Sequence, residues 1–158
     1  MTANGIAKFI HLMSMVIWLG SLIFFSFFAA PSIFKALPRE EAGTVVGHIF
    51  PKYWAIGYVS SSLALITLLI FSYTEKSFPA LRVLLLAAMT AVTFYSGLSV
   101  GSRARAIKAE IKVTVDPEQK QLLRKKFKKV HIISSTLNLI IIAGGVVLVF
   151  LTSQGLRL

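Results

Sequence analysis

Long apolar runs alternate with shorter polar segments along the chain, and four of the runs are long enough to cross a membrane. They cover residues 6–30, 54–73, 80–101 and 132–152. A helix needs about 20 apolar residues to span the hydrocarbon core, and a helix satisfies its own backbone hydrogen bonds in lipid. The pattern therefore predicts an all-α, integral membrane four-helix bundle that forms a single membrane domain over residues 1–158.

The segment between the first two runs carries its own helical pattern. Pro38 is followed by apolar residues at helical spacing, namely Ala42, Val45, Val46, Ile49 and Phe50. Proline suits the start of a helix, and Pro51 is expected to end this one. We therefore expect an interfacial amphipathic helix over residues 38–50, with Tyr53 and Trp54 anchoring the next span at the membrane surface.

The segment between the last two runs predicts a helical hairpin over residues 102–130. Apolar residues continue the third span past Gly101, and Asp116-Pro117 is typical of a helix N-cap followed by proline in the first turn. Spans three and four are therefore expected to extend beyond the bilayer as a short helical pair.

The distribution of basic residues predicts how the four spans are oriented in the membrane. The chain has 17 Lys and Arg against 6 Asp and Glu, a net charge of +11, and a mean hydropathy of +0.77. Thirteen of the basic residues lie in the two segments that follow the first and third spans, and four lie on the other side. By the positive-inside rule, both termini face outward and the basic 102–130 segment is cytoplasmic, as in a bacterial inner membrane. Its expected partners are the lipid bilayer and anionic headgroups, not nucleic acid.

The chain offers little catalytic chemistry. It has no cysteine, which excludes disulfides, thiolate nucleophiles and cysteine-ligated metals. No charged side chain lies deep within a span, so paired acid–base groups are absent there. We expect a protein that is not an enzyme, and no cofactor is identified.

Weakly polar residues concentrate toward the cytoplasmic half of the spans. They are His131, Ser134, Ser135 and Asn138 on one face of the fourth span, with Ser60, Ser61, Ser62 and Ser96 on the second and third. We expect the four residues of the fourth span to face the bundle interior, toward these serines, rather than lipid. Two interpretations stay open: hydrogen-bonding contacts between packed helices, or a vestibule for water and a small solute.

The histidines allow weak metal-binding hypotheses. His11 and Met15 share a helical face and could bind a soft metal. His48 and His131 lie toward the cytoplasmic side and could bind zinc or copper, although an interfacial hydrogen bond is the alternative. A b-type haem needs two facing ligands, and His11 and His131 lie near opposite membrane faces.

Several motifs together resemble the transmembrane protein 205-like family. The matching positions are His11, Trp18, Gly20, Pro31, Pro38, Arg39, Phe50, Pro51 and Tyr53, followed by the His131, Ser134, Ser135 and Asn138 pattern of the last span. The resemblance implies a small four-span membrane protein associated with metal or drug resistance.

These observations favour a non-enzymatic membrane protein for transport, export or homeostasis of a small solute, metal or drug. A structural or accessory subunit of a larger membrane complex, or a homo-oligomer, is the alternative. A b-haem or metal-binding membrane protein is less favoured.

The charge asymmetry makes a testable prediction about topology. Single cysteines at Thr2 and Lys126 should react differently with an impermeant thiol reagent applied to intact cells. We expect Thr2→Cys to react and Lys126→Cys to be protected, because thirteen basic residues hold the second side in the cytoplasm. The reverse labelling pattern would show that the orientation is inverted.

Overall fold

The computed structural model describes residues 3–76 and 78–154, and the regular structure in them is helical; Thr2 lies outside these ranges. The helices are α1 (Ala3–Phe24), α2 (Ala30–Ala36), α3 (Arg39–Thr74), α4 (Ala80–Tyr95), α5 (Ser102–Val113) and α6 (Pro117–Ser153). A π-helical segment, Phe25–Ala29, joins α1 to α2, and a second, Ser96–Gly101, joins α4 to α5. The described chain thus forms four helical rods, each long and apolar enough to cross a membrane, which agrees with the predicted number of membrane-spanning helices.

The rods are longer than a bilayer requires. The α3 and α6 helices have 36 and 37 residues, which at 1.5 Å per residue is about 54 Å, against about 30 Å of hydrocarbon. We call the end that carries Lys8, Glu75 and Thr152 the Lys8 end, and the end at residues 37–38 and 114–116 the hairpin end. The predicted spans occupy the Lys8-end portions of α3 and α6, so the additional turns extend at the hairpin end.

The prediction that a separate interfacial helix ends at Pro51 is wrong. Leu37 is extended, as expected for a residue before proline, and α3 begins at Arg39. However, α3 continues through Pro51 to Thr74 as one helix. An internal proline removes one backbone hydrogen bond and usually disrupts a helix.

Aromatic packing on both sides of Pro51 explains why the helix continues. Phe25 contacts the rings of Phe50 and Tyr53 at centroid distances of 5.4 and 5.0 Å, and Tyr53 contacts Trp54 at 5.0 Å. Tyr53 and Trp54 are 5% and 3% exposed. They are therefore core residues of the bundle, and the expectation that they anchor the span at the membrane surface is wrong.

At the hairpin end, α5 and α6 are joined by residues 114–116. The Asp116 side chain accepts a hydrogen bond of 3.0 Å from the Gln119 backbone N–H, and Pro117 occupies the first turn, as the sequence predicts. The Lys108 ammonium of α5 donates to the Gly43 carbonyl of α3. This contact ties the extended part of the third rod to the start of the second.

Close approach between rods depends on glycine at two positions. A Cβ on Gly97 would lie 2.9 Å from Trp54 Cδ2 and would overlap the Tyr58 hydroxyl. A Cβ on Gly145 would overlap the Leu19 side chain. Lipid is as apolar as leucine, so membrane helices associate largely through such tight packing.

We expect Gly97→Ala to destabilise the bundle by about 1–3 kcal/mol, because the added methyl group overpacks two aromatic rings. Gly20→Ala is the matched control, because no atom lies within 4 Å of a Cβ at that position, and alanine is the better helix former. Thermal unfolding in detergent measures both. A Gly97→Ala protein as stable as the control would contradict the packing argument.

Candidate functional site

Buried polar side chains follow the inner faces of the rods. We call them the polar column: His11, Ser14, Trp18, Tyr53, Ser60, Ser61, Thr67, Thr93, Ser96 and Asn138, all at most 9% exposed. The α1 members lie at positions 11, 14 and 18, which share one helical face. Ser26, fifteen residues beyond His11 and so about 22 Å further along the rod, is next to Tyr53. The column therefore extends through much of the bundle.

The hairpin-end part of the column contains polar atoms without partners. The Tyr53 hydroxyl is next to the side chains of Ser26 and Asn138. Nevertheless Tyr53 Oη, Ser96 Oγ, Asn138 Oδ1 and Trp18 Nε1 are buried with no hydrogen-bond partner among the described residues. Each such atom costs about 1–3 kcal/mol of desolvation free energy. Native proteins leave few groups in this condition, and an ordered water or bound ion is a common explanation.

Ser96 differs from the hydroxyl residues around it. Thr90 and Thr93 donate to carbonyls four residues earlier, at 2.8 and 2.9 Å. Ser96 is fully buried and makes no such bond. It begins the second π-helical segment, and Ser26 lies in the first. Single π turns within α-helices occur frequently at functional sites. Each of the two π-helical segments contributes one serine, Ser26 or Ser96, to the hairpin-end part of the polar interior.

The interior is tightly closed at the centre of the column. Trp18, Tyr53, Gly57 and Thr93 border a gap that is too narrow for a water-sized sphere. A solute therefore cannot occupy this gap in the described conformation, and any passage along the column requires the helices to separate.

The predicted polar face of the fourth span divides into two groups. Asn138 is buried and Ser134 is partly buried, whereas His131 and Ser135 are exposed on the outer surface of the bundle. The expectation that all four face the interior is therefore wrong for His131 and Ser135. The reason is the rotation of α6 about its own axis. The face that α6 packs against the other rods contains Val130, Asn138, Ile141 and Leu148. Of the serines predicted to face them, Ser60, Ser61 and Ser96 are buried, and Ser62 is partly buried.

At the Lys8 end the structure has an open cavity of about 150 Å³, here called the end cavity. Its polar lining consists of Lys8, His11, Ser72, Glu75, Arg82 and Thr152. Lys8 and Glu75 form an ion pair of 3.4 Å with half-exposed side chains. His11 Nδ1 lies 3.0 Å from both the Ala64 carbonyl and Thr67 Oγ1. Because a carbonyl only accepts, Nδ1 carries the proton.

The metal-binding hypotheses find no geometric support. Across residues 3–76 and 78–154, no group of three or more His, Asp or Glu side chains is placed to hold a metal ion. His11 Nδ1 is engaged with α3, and Met15 is packed in the apolar core. His48 and His131 are exposed, and the His131 ring stacks on Phe127 at 6.2 Å.

The family-motif positions divide between the core and the surface. His11, Trp18 and Tyr53 are buried, Phe50 is partly buried, and Gly20, Pro31, Pro38, Arg39 and Pro51 are exposed. Pro31 lies in the first turn of α2, and Pro38 precedes the first residue of α3.

Two features escaped the sequence reasoning. Tyr53 and Trp18 contribute unpartnered polar atoms to the interior; the helical spacing of Met15, Trp18, Leu22 and Phe25 could have identified the buried face of α1. The end cavity combines Lys8, Glu75 and Arg82, which lie near the ends of three predicted spans on one side of the membrane. That shared position was a signal for the cavity.

Four apolar rods with a mostly apolar surface define an integral membrane protein. A family described as a domain of unknown function, DUF4149, matches residues 13–113, which is more than half of the chain. The chain belongs to the DUF4149 family. The narrower resemblance to the transmembrane protein 205-like family stays a prediction.

An uncharacterized protein from Aquifex aeolicus (strain VF5) is 44% identical over 54 residues. The match covers 34% of this chain and 39% of the relative. The chain thus spans well under half the length of that relative. No solved structure matches.

We expect Tyr53→Phe to leave the free energy of unfolding unchanged or to raise it by up to about 2 kcal/mol, because it removes a buried hydroxyl without a partner. Tyr95→Phe, at a residue that is 56% exposed, is the control. Chemical unfolding in detergent measures both. If Tyr53→Phe instead loses more than about 1 kcal/mol, the hydroxyl has a hydrogen-bond partner in the folded protein, for which the adjacent Ser26 and Asn138 side chains are the candidates.

Proposed function

We propose that this protein is a non-enzymatic membrane protein that admits a small polar solute to its interior, in transport, export or homeostasis. The observation that carries the proposal is the group of buried, unpartnered polar atoms of Trp18, Tyr53, Ser96 and Asn138. An interior selected only for stability in lipid would use apolar side chains there, because unsatisfied polar groups are costly in a medium without water.

The arrangement of the column supports the same proposal. Its polar side chains extend from His11, which lines the end cavity, to Asn138 in the direction of the hairpin end. The two π-helical segments lie beside the unpartnered atoms. Irregular helix geometry supplies the local backbone freedom that the closed gap would need in order to open.

A specific observation favours the alternative, an accessory subunit or homo-oligomer. Only 17% of the most apolar part of α6 is buried, against 33–39% in the other three rods. The exposed surface of α6 includes His131 and Ser135. Polar side chains that face lipid are unfavourable, so a partner helix over this surface would explain them.

The hairpin end fits the proposed contact with anionic lipid headgroups. Most basic side chains of residues 102–130 are exposed. Among these basic residues, Arg124 is the one that forms an ion pair within the described parts of the chain, at 3.5 Å from Glu40. Each unpaired basic residue near an anionic surface contributes about 1 kcal/mol to attraction.

Water access to the column distinguishes the proposed function from the alternative. The chain contains no cysteine, so Ser96→Cys introduces a single thiol. We expect this thiol to react with a cationic, impermeant methanethiosulfonate added to one side of proteoliposomes. The reactive species is the thiolate, which forms only where water enters. Leu86→Cys is the control, because Leu86 is equally buried on the same rod but lies outside the column.

Labelling of Ser96→Cys alone supports solute access. If neither thiol reacts from either side, the interior is closed and the accessory-subunit alternative is favoured. Equal labelling of both variants would indicate general loosening of the bundle and would contradict a defined path.

A further inference from the structure

The end cavity is open and large enough for a ligand. At about 150 Å³ it has room for several water molecules or one small organic molecule. Lys8 and Glu75 at its edge are half-exposed, so the cavity is accessible from the end of the bundle. It lies where the ends of all four rods meet, because Thr152 of α6 lines it together with residues of the other three rods.

The acceptors of the cavity outnumber its free donors. The Ser72 hydroxyl donates to the Leu68 carbonyl at 3.0 Å, and the Thr152 hydroxyl donates to the Leu148 carbonyl at 2.8 Å. The proton of His11 is committed at Nδ1. These three residues therefore offer the cavity lone pairs, at the two hydroxyl oxygens and at His11 Nε2.

Two cations provide the donors. Lys8 is paired with Glu75, whereas Arg82 forms no ion pair within residues 3–76 and 78–154 and is partly buried in the lining. A guanidinium binds a phosphate or carboxylate through a planar pair of N–H groups. The lining thus combines one uncompensated cation with a set of acceptors that need N–H or O–H groups from the ligand.

We propose that the end cavity binds a small zwitterion that carries a phosphate group and a primary ammonium group. Arg82 binds the phosphate, and the ammonium donates to the acceptors formed by His11, Ser72, Glu75 and Thr152. This chemistry occurs in free phosphoethanolamine and in an ethanolamine lipid headgroup. The proposal is independent of the proposed function, since the cavity can bind this ligand even if the polar column never opens.

Titration calorimetry of the detergent-purified protein tests the proposal with three soluble probes. We expect phosphoethanolamine to bind at least tenfold more tightly than inorganic phosphate, which lacks the ammonium. It should also bind at least tenfold more tightly than phosphocholine, whose nitrogen has the same charge but no N–H donor. In a second arm, the melting temperature is compared in nanodiscs of phosphatidylethanolamine and of phosphatidylcholine.

The variants separate specific from general charge effects. Arg82→Gln should weaken phosphoethanolamine binding at least tenfold. Lys76→Gln, which removes a charge at the same end from an exposed residue outside the lining, should change it less than twofold. Glu75→Gln, at a half-exposed site, should weaken phosphoethanolamine binding because the ammonium loses an anionic acceptor. It should strengthen phosphate binding because Lys8 loses its partner.

Each outcome decides the proposal. Stabilisation by the ethanolamine lipid without binding of the soluble probe identifies a lipid headgroup as the source. Binding of the soluble probe with equal melting temperatures in the two lipids identifies a free ligand. Equal affinity for all three probes, equal losses in the Arg82 and Lys76 variants, or no effect in either arm would overturn it.

Discussion

The bundle depends on close contact between helices that lipid does not force together. Because the bilayer solvates leucine as well as a protein interior does, an apolar surface alone cannot assemble the four rods. Gly97 supplies one such contact, since its missing side chain makes room for Trp54 and the Tyr58 hydroxyl. Around the same level, Phe25, Phe50 and Tyr53 pack ring against ring and join the first rod to the second.

This aromatic packing has a consequence for the polar interior. Tyr53, one of the rings that join the first two rods, places its Oη in the core, and Trp18 places its Nε1 there; neither atom has a hydrogen-bond partner among the described residues. Ser96 and Asn138 add two more unpartnered atoms from the other rods. Desolvation of each of these atoms costs free energy, so the proposed access of water or solute to the column gives them a role that packing alone does not.

The two ends of the bundle have different chemistry. The hairpin end carries a large excess of basic side chains on exposed helical surface, which suits an extended, non-specific contact with anionic headgroups. The Lys8 end carries few charges, but three of them surround one cavity together with His11. A small number of charges around one concave space favours ligands of a particular size and charge arrangement, whereas many charges on an open surface produce attraction without selectivity.

The sequence alone determined the helical class, the four spans and the Asp116 N-cap, because these follow from local hydropathy, backbone satisfaction in lipid and cap chemistry. It also indicated Asn138 as an inward-facing polar residue. Only the tertiary structure decided that α3 passes through Pro51 and that His131 and Ser135 face outward. The effect of an internal proline depends on the rings packed beside it, and the rotation of a helix depends on which neighbours it contacts. The end cavity likewise exists only once the ends of the four rods meet. The sequence places Lys8, Glu75 and Arg82 near span ends on one side of the membrane, but only the packing of the rods brings them around one space.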